Sequence, residues 1–313
     1  VLAPQQLRAA VPEAQMDGVM GQSIEDETVY KDDIPAEDTQ YSLLRSAISL
    51  LSATSTQAVN TSYTQDFEDN SFTTDGDYTS ATYYHRSDYE DYQLINGIDV
   101  SWWQAKNKTT TLLNWEEIHN AGIDFAFVRV GSRDSSSGSI YEDTAADSHI
   151  QAALENDINI GLYIFSQALT EKEAKEEANF VLNQIKKYNW KVTLPIVIDR
   201  EKGSYNRLTA GKLSKTKETA VCQAFADTIV EAGYQASVYA SYSWIKSYIN
   251  TDDLTDCGIW IARYNNTTTS NTKSGTAYAD VPYDYDFWQY SSTSKVDGYS
   301  GNLDTTLWYK DTS

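Results

Sequence analysis

The chain is poor in the residues that several function classes require. It has two cysteines in 313 residues, which excludes a disulfide framework as the basis of the fold. Cys222 lies on the apolar side of a helical pattern with Val221, Phe225 and Ile229, so it reads as a buried free thiol and not as half of a bridge to Cys257. Three histidines, His85, His119 and His149, show neither HExxH nor any paired spacing, so no metal site and no zinc chemistry is expected. Lysine and arginine number 24 against 45 acidic residues, a net charge of −21. Such a chain lacks the basic patches that nucleic acid and anionic membranes need, so neither is expected as a partner. No apolar run reaches 18 residues, so membrane insertion is not expected. The opening VLAPQQLRAAVPEAQ lacks the basic start and apolar core of a signal peptide; a processed secreted chain would begin this way, and so would a cytosolic one.

The acidity is uneven. Residues 1–96 hold 17 acidic and 4 basic side chains. Residues 1–95 have few branched apolar residues and no strand or helix period, which predicts an irregular, solvated extension. One amphipathic helix is expected within it, over residues 41–53, where Leu43, Leu44, Ala47, Ile48, Leu50 and Leu51 fall near helical spacing. From residue 96 the pattern becomes regular. Strands are predicted at Asn96–Val100, Phe125–Val130, Ile158–Phe165, Leu194–Ile198 and Gln235–Tyr239, with helices between them, one of them opened by a Thr170–Glu173 capping box. Three further strands follow, at Gly258–Arg263, Tyr285–Tyr290 and Thr305–Tyr309, without convincing helices. About eight strands and five helices in this order predict an α/β fold over residues 96–313, an incomplete (β/α)8 barrel.

The stretch LPIVIDREKG carries the chemistry. Leu194–Ile198 reads as a strand buried on both faces, and Asp199 and Glu201 follow it two residues apart. Strand alternation points both the same way, with Cα atoms roughly 6–7 Å apart. A pair of carboxylates at a strand's C-terminal end is the arrangement that glycosidic cleavage needs, and by itself it is equally what a strand running into a polar loop would show. Asp99, Asp304, Tyr163, Phe165, Tyr264, Gln289 and Tyr290 recur at or near the ends of other predicted strands, where such barrels hold their sites. The 23 tyrosines and 8 tryptophans suit stacking on sugar rings as well as a packed core. Trp102 and Trp103 are adjacent, so one is expected in the core and the other is free to face substrate.

In order along the chain, GIDVSWWQ, FAFVRVGSRD, IGLYIFSQALTEKEAKEEANFVL, LPIVIDRE, AGYQASVYAS, GIWIARY, FWQYSS and GNLDTTLWY resemble the glycoside hydrolase family 25 lysozymes, N-acetylmuramidases of the Chalaropsis and phage endolysin type. The resemblance spans about residues 96–310. It implies hydrolysis of the β-1,4 bond between N-acetylmuramic acid and N-acetylglucosamine in bacterial peptidoglycan, without cofactor, by a monomer acting outside the cell or in the wall. It implies that Glu201 is the general acid. Asp199 becomes its partner, either attacking the anomeric carbon or holding the substrate's acetamido group while that group attacks. Asp99 and Asp304 become supporting acids of the cleft, and Tyr163, Phe165, Tyr264, Trp288 and Gln289 its sugar-binding wall. Two positions depart from the family. Ile164 replaces a histidine and should face outward. Arg200 stands between the two carboxylates, should face the helix layer, and needs a partner there. Two other readings fit less well. A chitin-type glycosidase would show a DxxDxDxE run, but Pro195 and Val197 precede Asp199 here and that run is absent. A silent wall-binding domain on the same fold would not need Asp199 and Glu201.

Overall fold

A computed structural model of the chain describes residues 64–66, 81–84, 89, 92–202, 207–264, 275–277 and 283–312. The amphipathic helix expected at 41–53 lies outside the described residues. Eight strands close into a barrel. They are β1 (Gln93–Val100), β2 (Phe125–Arg133), β3 (Asn159–Phe165), β4 (Ile196–Asp199), β5 (Ala236–Ser241), β6 (Cys257–Ala262), β7 (Phe287–Ser294) and β8 (Leu303–Lys310). Each pairs with the next and β8 also pairs with β1, so the sheet has no free edge in the ring. Six α-helices are described: α1 (Trp115–Asn120), α2 (Ala146–Leu154), α3 (Glu171–Tyr188), α4 (Arg207–Gly211), α5 (Lys215–Glu231) and α6 (Tyr242–Tyr248). The sequence pattern predicts five of these; α4, a single turn of five residues, is too short to show a period.

The strand directions depart from a regular (β/α)8 barrel. Strands β1 to β7 run parallel in sequence, but β8 is antiparallel to both β7 and β1. Asp304 stands near the beginning of β8 and pairs directly with Asp99 near the end of β1. Reversal of β8 therefore brings the start of that strand to the same rim as the C-terminal ends of the others. A three-stranded sheet of Thr64–Asp66, Ala81–Tyr84 and Gly275–Ala277 lies outside the ring. Strand β1 begins at Gln93, upstream of the predicted Asn96, because the whole of Gln93–Asp99 pairs with β8.

Alternation sorts the core into two layers. Ile98, Val128, Ile164, Ile198, Val238 and Ile261 face the helices. Phe125, Phe127, Tyr163, Val197, Tyr239, Trp260 and Phe287 face inward and fill the barrel. Phe127 stacks on Trp260 with ring centroids 4.2 Å apart. Two glycines make room for this packing. A Cβ at Gly97 would lie 2.3 Å from the Phe125 ring, and one at Gly161 would lie 2.3 Å from the Phe127 ring. Helix α3 is opened by Thr170, whose hydroxyl accepts from the Glu173 N–H at 3.2 Å. The Glu173 carboxylate reaches back one residue further than a capping box requires, to the Leu169 N–H, and also holds Arg207 through both guanidinium nitrogens.

The end of β4 is fixed from outside the barrel. Arg200 points into the helix layer, as alternation predicts, and is fully buried. Its Nε and Nη2 each donate to a Glu218 oxygen on α5 at 2.7 Å. Its remaining contacts are the Ser166 hydroxyl at 2.8 Å and the Ala168 carbonyl at 2.9 Å. Trp244 Nε1 donates to the same Glu218. The buried charge is thus neutralised by a two-pronged pair, the geometry in which such a pair offsets its desolvation. Removing Glu218 leaves a buried, uncompensated arginine, so Glu218→Ala should lose about 3–5 kcal/mol of stability. Gly161→Ala should lose about 1–3 kcal/mol by overpacking the Phe127 layer. Chemical denaturation of both variants beside the parent checks these values, and an unchanged midpoint for either would remove the corresponding account.

Candidate active site

Four carboxylates converge at the rim. Asp99, Asp199, Glu201 and Asp304 are between 0 and 6% exposed. Asp99 and Asp199 share the inward parity of Phe127 and Tyr239, with which they pair across the sheet. Glu201 follows two residues after Asp199, with Arg200 turned away between them. Gln289, on the inner face of β7, ties the wall together. Its Oε1 accepts from the Tyr239 hydroxyl at 2.7 Å and the Tyr264 hydroxyl at 2.6 Å. Its Nε2 donates to Asp99 Oδ2 at 2.7 Å. Asp99 is in turn hydrogen-bonded to Asp304.

Burial sets the protonation of this group. Desolvation raises the Asp99 carboxyl to about 7, against the lowering effect of its bonds to Gln289 and Asp304. Asp304 is pushed well above the usual carboxylate range by burial and by the negative Asp99. Two facing carboxyls joined by a hydrogen bond hold a proton between them near neutral pH. Asp199 is also pushed well up, first by burial and then by the charges of Glu201 and Asp99; Arg129 and Arg200 oppose this. Neither carboxylate oxygen of Asp199 has a hydrogen-bond partner among the described residues. A buried polar group without a partner is rare and marks a place where a ligand group belongs. Burial likewise pushes the phenols of Tyr163, Tyr239 and Tyr264 up, so they remain hydrogen-bond donors.

Most of the residues expected from sequence are brought to one wall. Tyr163 points inward and meets Trp260 edge-on. Phe165 shares its parity, pairs with Asp199 and is buried at the rim. Tyr264 is half-buried beside Gln289. Trp288 is placed elsewhere, and this corrects the expectation. It alternates with inward Phe287 and Gln289, so it faces the outer layer, fully buried, with its Nε1 donating to the Arg263 carbonyl at 3.0 Å. Ile164 faces outward into the same layer, as alternation predicts.

The site also contains residues that the sequence reading passed over. Tyr239 lies on the inner face of β5 and was legible only as a core aromatic. Arg129, in the strand FAFVRVGSR, has the parity of Phe125 and Phe127 and so places a cation on the inner wall. Its Nε donates to Asp143 Oδ2 at 2.9 Å, and both side chains are 1% exposed. An arginine at an inward position of an apolar strand was the available signal. Among the described residues no cluster of three or more His, Cys, Asp and Glu side chains is arranged to hold a metal, and no helix is long and apolar enough to cross a membrane.

Known proteins resemble this chain in sequence and in fold. The family model described as glycosyl hydrolases family 25 matches residues 98–299, a span that includes Asp99, Asp199, Glu201 and Gln289 and stops short of Asp304. Lysozyme M1 of Streptomyces globisporus is 24% identical over 215 residues, covering 67% of this chain and 66% of that protein. The lysozyme of Lactococcus phage mv1 is 26% identical over 217 residues, covering 68% of this chain and 93% of that protein. The modular autolysin LytC from Streptococcus pneumoniae has a similar fold, with a TM-score of 0.54 and 24% identity over 69% of this chain and 47% of that one. Its structure in complex with a synthetic peptidoglycan ligand gives the same TM-score at 23% identity. The chain thus spans just under two thirds of Lysozyme M1 and about half of LytC. With well over half of its residues matched by the family model, the chain belongs to glycosyl hydrolase family 25.

Proposed function

We propose that this protein is a peptidoglycan hydrolase of the muramidase type, with Glu201 as general acid and base and Asp199 as its partner. One observation carries the reading. Asp199 and Glu201 lie on one buried wall, Asp199 offers two oxygens without partners among the described residues, and the intervening Arg200 is neutralised outside the barrel. The family's lysozymes and the autolysin solved with a synthetic peptidoglycan ligand supply the substrate class.

In this reading Glu201 protonates the glycosidic oxygen as the bond to the anomeric carbon breaks. The substrate's 2-acetamido oxygen forms the new bond to that carbon from the opposite face. Asp199 accepts a hydrogen bond from the acetamido N–H and offsets the positive charge that develops on the group. Water then attacks the anomeric carbon and opens the cyclic intermediate, and Glu201 takes back the water's proton. The unpartnered oxygens of Asp199 suit an acceptor of this kind. The proton shared by Asp99 and Asp304 reduces the negative charge beside it.

Glu201→Gln should lower the rate about 10²- to 10⁴-fold without loss of fold. The measurement is mass spectrometry of digested peptidoglycan after borohydride reduction. New reduced muramic acid ends, absent in the variant, are expected; reduced glucosamine ends would overturn the bond assignment, and near-parental turnover would overturn the role of Glu201. The raised carboxyls also predict a pH dependence. Asp99 holds its proton more tightly folded, at about 7, than at its ordinary 3.8. Its contribution to stability is therefore full below about pH 4 and is lost as pH rises through about 7. Melting temperature should fall across that window, and Asp99→Asn should reduce the slope. Activity should decline above neutral pH as the Asp99–Asp304 pair loses its proton, and an unchanged rate up to pH 9 would contradict the account.

A further inference from the structure

A ledge lies beside the four carboxylates. Directly after β1, Ser101 caps a short 3-10 turn, Trp102–Gln104, and a hairpin of Ala105–Lys106 and Thr110–Thr111 follows. Trp103 is 40% exposed and Leu112 52%, two of only three large apolar side chains so exposed among the described residues. Both belong to this one segment; the third, Val230 on α5, stands apart from it. A surface tryptophan next to a carbohydrate cleft is a ready stacking platform.

The ledge is held firmly. Trp102 stacks on Tyr141 at 5.8 Å, and its backbone N–H donates to Asp143 Oδ2 at 3.0 Å. The Arg129 guanidinium lies 4.8 Å from the Trp102 ring and binds the same Asp143. The hairpin is tied to the segment before α2 by the Thr144 hydroxyl, which donates to the Lys108 carbonyl, and to α2 by the Thr111 N–H, which donates to Ser148 at 3.0 Å. The tip is backbone of the left-handed kind, with φ of 53° at Asn107 and 59° at Lys108. Glycine is favoured at the second of these positions, so a lysine there is held against its own preference. This conformation sets the Lys108 ammonium 4.5 Å from the Trp102 ring and 5.5 Å from the Trp103 ring. In a chain of net charge −21, a preset cation over two tryptophans at the mouth of an acidic cleft is out of character with the surface around it.

We propose that Trp102, Trp103 and Lys108 form a subsite for the part of the glycan that flanks the cleaved bond. In it a sugar ring stacks on the open face of Trp103, and Lys108 pairs with a carboxylate carried on that sugar. The proposal rests on the muramidase reading for the identity of the glycan. Two sources supply such a carboxylate: the lactyl group of muramic acid when it bears no peptide, and the stem peptide when it does. Arg129 links the ledge to the catalytic wall, since it contacts Trp102 on one side and opposes the charge of Asp199 on the other.

The test is calorimetric binding to the full chain carrying Glu201→Gln, with three ligands. They are peptide-bearing glycan fragments, the same fragments after an amidase has removed the peptides, and neutral chitohexaose. Adding Lys108→Met should weaken binding of a carboxylate-bearing ligand about fivefold, the scale of a half-exposed ion pair, and change chitohexaose less than twofold. Lys108→Arg should restore it. Trp103→Ala should weaken all three about tenfold. An effect confined to peptide-bearing fragments assigns the stem carboxylate, and one that persists after amidase assigns the lactyl group. Unchanged binding of both anionic ligands by Lys108→Met, an equal loss on chitohexaose, or unchanged binding by Trp103→Ala would each overturn the proposal. The parent chain's release of reduced muramic acid ends is measured in parallel. Its absence, with Lys108-dependent binding intact, would sink the hydrolase reading and leave the ledge standing.

Discussion

The site depends on the place where Arg200 goes. Where β4 ends at Asp199 and extended chain continues through Arg200 and Glu201, alternation sends the first and third side chains one way and the second the other. Two acids on the inner wall therefore require a cation to be buried outside it, and an unpaired arginine there would be prohibitive. Glu218 on α5, Ser166 and the Ala168 carbonyl receive it, with both prongs of the pair at 2.7 Å. The Ser166 hydroxyl donates in turn to Glu177 on α3, which Arg133 of β2 also holds. The charge network thus joins helices α3 and α5 to β2 and to the residues just after β3 and β4, and anchors the segment carrying Glu201 from behind. The inner wall needs no compensating cation at that position, so Asp199 keeps its oxygens free of protein partners among the described residues.

A second constraint is topological. Eight strands are needed to close the ring, yet the last helices of a regular (β/α)8 barrel are not found among the described residues. Without a crossover, β8 follows β7 as an antiparallel neighbour, which needs only a short connection. Its first residues then lie at the active rim. Asp304 meets Asp99 as a direct cross-strand pair, a position where like charges repel unless a proton is shared. Gln289 can serve only one orientation in this setting. Two phenols donate to its oxygen, so its nitrogen is left for Asp99, and the chain of bonds from Tyr239 and Tyr264 to Asp304 has a fixed direction.

Much of this was legible in the sequence, and the gaps have physical causes. The parallel strands could be read because each is a continuous apolar run buried on two faces, and the acids could be placed because alternation has a period of two. The same rule correctly sent Arg200 and Ile164 outward. Trp288 failed where the rule was not applied: its neighbours Phe287 and Gln289 both face inward, so its own burial on the outside follows. The direction of β8 was not legible, since a strand's pattern is the same read either way. Asp304 is nevertheless placed with the other acids both by its position beside the eighth predicted strand and by the family resemblance, and the reversal explains why a residue at a strand's start belongs at this rim. The partners of Arg200 and Gln289 lie 18 to 190 residues away in sequence, beyond any local pattern.

Lys108 belongs to the same class of features that only three dimensions reveal. In sequence it is one lysine in a polar turn, NKTT, and nothing marks it. The backbone at Asn107 and Lys108 turns the hairpin back over the tryptophans that follow β1, and the cation arrives beside aromatic faces. The cleft and the ledge then differ in charge by design of the fold: four buried acids inside the ring, with Arg129 and Lys108 on the side of β1 and β2. In the proposed muramidase reading, such a gradient favours one end of an unsymmetrical glycan over the other. Every sugar of that strand carries an acetamido group, but only muramic acid carries the lactyl or stem-peptide carboxylate proposed to meet Lys108. The proposed ledge would therefore favour one direction and one register of the strand, acting on the choice of bond as well as on affinity.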